Sequence, residues 1–209
     1  MRDTLTNLLV RRYCLAPVVA VTTVTTKRGV ASRRGVIRER GAAIVEFSIV
    51  SLLLMTLAIG TYEMGMAWND AQLVTQAARS GARVGGQLGS DPQTDQRVVE
   101  AIEAALGDLD NGLVKIVIFN STAPDGTMPG ACDTATHPGV AGLCSVYDIS
   151  HFTTFTQGAW DPATRDDDLQ TAEYLGVWIE VDRPLMTGFF GTSPLKITDS
   201  AVLRIEPRF

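Results

Sequence analysis

Glu46 is the only charged residue among positions 42–62, inside the run RERGAAIVEFSIVSLLLMTLAIGTYE at residues 38–63. An ionisable side chain at the centre of a membrane-spanning helix costs ~2.5–3.5 kcal/mol on insertion scales. The chemistry expected of Glu46 is charge pairing, because buried charge is tolerated when paired, with snorkelling to the interface near the helix end as the alternative. Few other residues offer chemistry. Cys132 and Cys144 lie 12 apart in a Gly/Pro-rich stretch. In an oxidising compartment they should pair, and closing such a loop contributes about 3 kcal/mol in the chain-entropy model. A metal site built from these cysteines with His137 or His151 is the sharper alternative, but no C-x-x-C spacing supports it. Asp166-Asp167-Asp168 reads as a solvated turn, with calcium binding as the alternative in the absence of EF-hand spacing. The chain has two histidines and no G-x-S-x-G, H-E-x-x-H or Walker loop. Gly85-Gly86-x-x-Gly89 follows a helical pattern rather than a strand, which argues against nucleotide binding. No enzyme, cofactor or metal is expected.

The elements that position these residues follow from charge and period. The chain has 209 residues and a net charge of −5. Residues 1–41 hold nine Lys or Arg against Asp3 and Glu39, a net +7, which leaves −12 for residues 42–209. A basic flank before an apolar run places the N-terminus in the cytoplasm and sends the acidic remainder across the membrane. The acidic remainder also disfavours nucleic acid as a partner. Twenty-one helical residues span about 31 Å, enough for a hydrocarbon core of ~30 Å. A buried core helix and a cleaved signal peptide are the alternatives, the latter disfavoured by the length of the run. Cys14–Val24 is too short to span, and Cys14 is expected to remain a reduced cytoplasmic thiol.

Four segments are expected: a basic cytoplasmic leader at 1–41, a transmembrane helix at 42–63, an extramembrane helical region at 64–111 and an exported β-rich domain at 112–209. Past the membrane, Ala67, Ala71, Val74, Ala78, Ala82 and Gly85 recur at three- and four-residue steps. They extend the helix as a small-residue stripe, ended by Gly85-Gly86 and Gly89. Tyr62, Glu63 and Trp68 suit the membrane interface, the aromatics through their amphipathic rings. A second, amphipathic helix of about 15 residues follows, with Ser90 or Asp91 as cap and Val98, Ile102, Ala105 and Leu106 on its apolar face. The period then changes to 2 at 113–120, 174–182 and 195–206, with a possible short strand at 144–150. A long Pro/Gly/Thr/Asp-rich loop at 121–172 holds the cysteine pair. Asn120-Ser121-Thr122 is a formal glycosylation sequon. The fold class is α+β: a long N-terminal helix continuing into a small domain with an antiparallel sheet of three to four strands.

The segment RGAAIVEFSIVSLLLMTLAIGTYEMGMAW…AARSGAR resembles the TadE-like pseudopilins of tight-adherence (Flp) pilus systems over about residues 39–88. The resemblance implies cleavage after Gly41 by a membrane-embedded prepilin peptidase. Gly41 is expected to offer a small residue in an extended, accessible approach, held at the cytoplasmic face by Arg38 and Arg40. Ala42 then becomes the N-terminus, followed by the Glu46-Phe47 pair. An Ala amine with a reference pKa of about 7.7–8.0 is largely protonated at neutral pH. One helical turn separates it from Glu46, so the carboxylate can neutralise its own amine or that of a neighbouring subunit. The implied partners are the peptidase, other pilins or pseudopilins, the inner-membrane assembly platform and lipid. The implied location is the bacterial inner membrane, single-pass, with the C-terminal domain periplasmic or extracellular. The large C-terminal part points to a minor pseudopilin assisting assembly or initiation rather than a major subunit. A permanently anchored single-span protein whose exported domain binds a ligand or partner is the alternative.

Overall fold

The structure, a computed structural model, describes residues 35–121, 124, 126–152, 155–188 and 191–207. The basic leader up to position 34, with Cys14, lies outside the described residues, as does Thr122 of the sequon. Helix α1 runs Gly35–Leu88 and α2 Thr94–Leu106. The strands are β1 Leu113–Ser121, β2 Gly139–Val140, β3 Cys144–Asp148, β4 Tyr174–Arg183 and β5 Leu195–Arg204. They form one antiparallel sheet in the order β2-β3-β1-β4-β5. The architecture is α+β as expected, with five strands instead of three to four. The additional strand, β2, has two residues, too few to carry an alternating pattern.

Central strand β1, LVKIVIFNS, is covered on both faces, and its Val, Ile and Phe content suits that position. Ile116 and Ile118 face a core shared with Val74, Ala78 and Ala82 of α1 and Val98, Ile102 and Leu106 of α2. Val117 and Phe119 face a second core around the Cys132–Cys144 disulfide, with Val146. Both sulfurs belong to residues with no exposed surface, and their Cα atoms are 6.2 Å apart.

Local chemistry shifts two expected boundaries. Gly85 and Gly86 do not end α1. The helix passes through them because it lies tight against the sheet, and a Cβ on Gly85 would come within 2.7 Å of Leu175 Cδ2. Gly89 is the residue that turns the chain, at φ +52°, with its N–H on Gly85 O at 2.9 Å. At α2, neither Ser90 nor Asp91 is the cap. Gln93 holds that position without a side-chain bond, while the Asp91 carboxylate accepts the Gln93 N–H at 2.9 Å and Ser90 donates to Asp167 at 2.6 Å.

The 121–172 segment is pinned rather than open. Arg165 donates to Asp95 of α2 at 2.5 Å and to Trp160 O at 3.0 Å, and its guanidinium lies 4.2 Å from the Trp160 ring centroid. Tyr147 donates to the other Asp95 oxygen at 2.7 Å. Burial, then the Asp95 charge beside it, holds the Tyr147 phenol far above its usual range. Asp95 and Arg165 side chains have no exposed surface. This cluster joins α2, β3 and the long segment through charge-assisted bonds closed off from solvent.

Candidate assembly site along the first helix

From Gly41 to Val50 every residue of α1 is exposed, and Phe47, Leu52 and Met55 stay 73%, 68% and 67% exposed. A contiguous apolar surface of this kind marks an interaction with membrane or protein. Among the described residues this is the one helix long and apolar enough to cross a membrane. Its hydroxyls are already satisfied. Ser48, Thr56 and Thr61 donate to Ile44 O, Leu53 O and Leu57 O at 2.7, 2.8 and 2.8 Å. That back-bonding makes them tolerable where water is absent.

Glu46 is different. It is exposed on the same helix and makes no hydrogen bond or ion pair among the described residues. Ala42 lies one turn earlier on the same face, and within the intact chain its nitrogen is a peptide rather than an amine. Gly41 is exposed, with nothing within 4 Å of where a Cβ would stand. The extended approach expected at Gly41 is not found: residues 35–41 are helical. Arg, Glu and Ile at 37–40 are compatible with a helix, and one Gly disfavours it by only about 1 kcal/mol.

The structure separates the three residues expected at the membrane interface. Tyr62 and Trp68 point outward, 57% and 71% exposed. Glu63 turns inward at 8% exposed, where its Oε1 accepts the Thr187 N–H at 2.9 Å and the Thr187 hydroxyl. Its Oε2 is buried without a hydrogen-bond partner. Two turns on, Asp70 pairs with Arg183, and Thr75 donates to Asp199. These contacts fasten the β4–β5 hairpin along the inward face of α1, and the helix is bare just below them.

The remaining sequence candidates do not converge on a site. His137 and His151 stack at 3.7 Å between ring centroids, with Nδ1 atoms committed to Val146 O (2.8 Å) and Asp148 Oδ1 (2.7 Å). In the acidic run, Asp167 accepts from Ser90, and the Asp168 N–H and Thr171 hydroxyl hold the Asp166 carboxyl below its usual range. No group of three or more His, Cys, Asp or Glu that could hold a metal occurs among the described residues. The Asp95–Arg165–Tyr147 cluster escaped sequence reading. The sequence offers Trp160, Arg165 and Tyr147 within the long Pro/Gly/Thr/Asp-rich segment, with nothing that pairs them with Asp95.

Residues 41–83 match the family model described as TadE-like protein. Over those residues the helix is similar to TadE-like proteins. The match covers the bare apolar stretch, Glu46, Glu63, Asp70 and the helix face buried against the sheet, and stops before Gly85. No curated protein and no solved structure matches the chain. The residues just described therefore lie in a segment similar to TadE-like proteins, and the five-stranded domain lies outside the match.

Proposed function

We propose that the chain is a minor pseudopilin of a tight-adherence (Flp) pilus or related secretion system, cut by a prepilin peptidase between Gly41 and Ala42. The carrying observation is the unpartnered Glu46 one turn from Ala42 on a bare apolar helix. Hydrolysis of the Gly41–Ala42 amide would create an amine at Ala42, largely protonated at neutral pH. In lipid, Glu46 then gains a cationic partner, either its own amine or that of an adjacent subunit. An intersubunit pair would favour one axial register, since a displaced subunit leaves both charges unpaired in a low dielectric. The glycine weakens the helix at the scissile bond, which eases the local unwinding a peptidase needs. The N-terminus would face the cytoplasm and the five-stranded domain would be exported from the inner membrane.

Mature protein extracted from membranes and sequenced from its N-terminus should begin at Ala42. An intact leader would overturn the reading in favour of a permanently anchored protein whose exported domain binds a partner. Glu46→Gln should leave insertion intact and reduce piliation, and unchanged piliation would remove the assembly role of the carboxylate.

A further inference from the structure

In residues 42–207, Arg79 and Arg83 are the basic side chains without a hydrogen bond or ion pair among the described residues. The others are committed: Arg97 to Glu100, Lys115 to Asp133 O, Arg165 to Asp95, Arg183 to Asp70, Lys196 to Glu180 and Arg204 to Leu169 O. Arg79 and Arg83 lie one turn apart on α1 and are exposed. With Ser200, Ala201, Val202 and Leu203 they line a groove of about 380 Å³. Successive strand residues point to opposite faces, so a groove touching all four lies at the outer edge of β5.

β5 ends the sheet, and its edge carries no further strand among the described residues; at residues 204–206 it is closed by α1, whose Gly86 lies against Arg204 O. The polarity of the edge follows from the ladder. Ile205 N–H bonds Glu173 O at 2.9 Å, and these residues oppose one another in the β4–β5 register. Hydrogen-bonded and non-bonded pairs alternate in an antiparallel ladder. Leu203 and Ala201 therefore turn their backbone groups to β4, and Val202 and Ser200 turn theirs to the groove. Glu206 has the same parity and donates outward to Gly86 O at 2.7 Å. The Ser200 N–H is taken by the Asp199 carboxylate at 2.7 Å, which leaves Val202 N–H as the donor facing the groove.

We propose that this groove is a strand-addition site for an extended, carboxylate-bearing segment of another protein subunit. The segment would pair with β5 as a sixth strand, while two carboxylates two residues apart meet Arg79 and Arg83. The spacings agree: four helical residues rise about 6 Å and two strand residues about 6.6 Å. Main-chain bonds supply affinity in this recognition mode, and the guanidinium pair selects acidic side chains. Arg79 stands about 16 Å of helical rise beyond exposed Trp68, past the headgroup depth that an interfacial Trp marks, so the site favours polypeptide over lipid. The proposal does not depend on leader processing.

The test uses the full chain in neutral-lipid nanodiscs and fluorescein-labelled peptides alternating Thr with Glu or Thr with Lys, read by fluorescence anisotropy. The Glu peptide should bind at least about tenfold more tightly than the Lys peptide, and Arg79→Ala/Arg83→Ala should abolish that preference. Val202→Pro removes the outward N–H and spares the ladder to β4, so it should weaken binding about tenfold with circular dichroism unchanged. Equal binding of both peptides, or no binding, overturns the proposal. Binding that needs the arginines but survives Val202→Pro shows a plain ionic patch and overturns strand addition. Loss of peptide on transfer to phosphatidylglycerol nanodiscs assigns the arginines to lipid headgroups and likewise overturns it.

Discussion

Arg165→Met removes the cation from a carboxylate that has no exposed surface. Asp95 would keep only the Tyr147 hydroxyl. Breaking a buried pair by deleting one partner costs about 3–5 kcal/mol, because the remaining charge is stranded in a low dielectric. The lower end applies here, since Arg165 Nε and Nη1 are themselves buried without hydrogen-bond partners and the native network is incompletely satisfied. Met also refills part of the space over the Trp160 ring. A loss of about 3 kcal/mol should lower Tm by about 6–12 °C for a chain of this size. Asp95→Asn combined with Arg165→Met removes both charges and leaves the Tyr147 hydroxyl an amide oxygen to donate to, so the double variant should melt several degrees above the single one. Trp fluorescence during thermal unfolding in detergent follows the affected region, because Trp160 lies within the cluster. A single-variant shift below about 2 °C, or a double variant less stable than the single one, would refute the claim that this buried pair holds the long segment.

Replacing Cys132 and Cys144 by Ser should destabilise the domain by about 3 kcal/mol and open residues 126–143 to limited proteolysis, with reductant reproducing both effects in the unaltered chain; an unchanged melt and digest would show that the bridge does not constrain the loop. Gly85→Ala, whose Cβ would stand 2.7 Å from Leu175, should cost about 1–3 kcal/mol in urea unfolding, whereas Gly65→Ala, with nothing within 4 Å, should be neutral or slightly stabilising. Equal effects at the two positions would contradict the close packing of α1 on the sheet. The phenol of Tyr147 is raised in the folded state, so its stabilising contribution is present below the unfolded value of about 10 and is lost as pH rises beyond it, by up to about 1.4 kcal/mol per pH unit. Urea melts from about pH 9 upward, spanning the reference phenol value, should show Tyr147→Phe with the shallower decline; parallel curves would exclude this origin.

Much of the framework could be read from local pattern. The charge step across Gly41, the apolar run and the period-2 segments at 113–120, 174–182 and 195–206 each depend on neighbours a few residues apart. The structure places β1, β4 and β5 at those segments with boundaries shifted by a residue or two. Glycine was harder to interpret. Gly85, Gly86 and Gly89 look alike in sequence, yet the first two admit close packing and only the third turns the chain. Gly41, where an extended approach is expected, is helical, because a single poor helix former does not overcome its neighbours.

The sequence alone determined a long apolar helix with a lone carboxylate, an acidic α+β domain after it, and the resemblance to TadE-like proteins. Tertiary structure alone decided which polar groups are shared between distant segments. Glu63 meets Thr187 and Thr75 meets Asp199 across 124 residues, and Asp95 meets Arg165 across 70. Periodicity encodes which face of an element is apolar, but not which remote segment will cover that face. A charge that reads as solvated or interfacial can therefore be buried once the chain returns with a donor, because burial becomes tolerable only when that partner arrives.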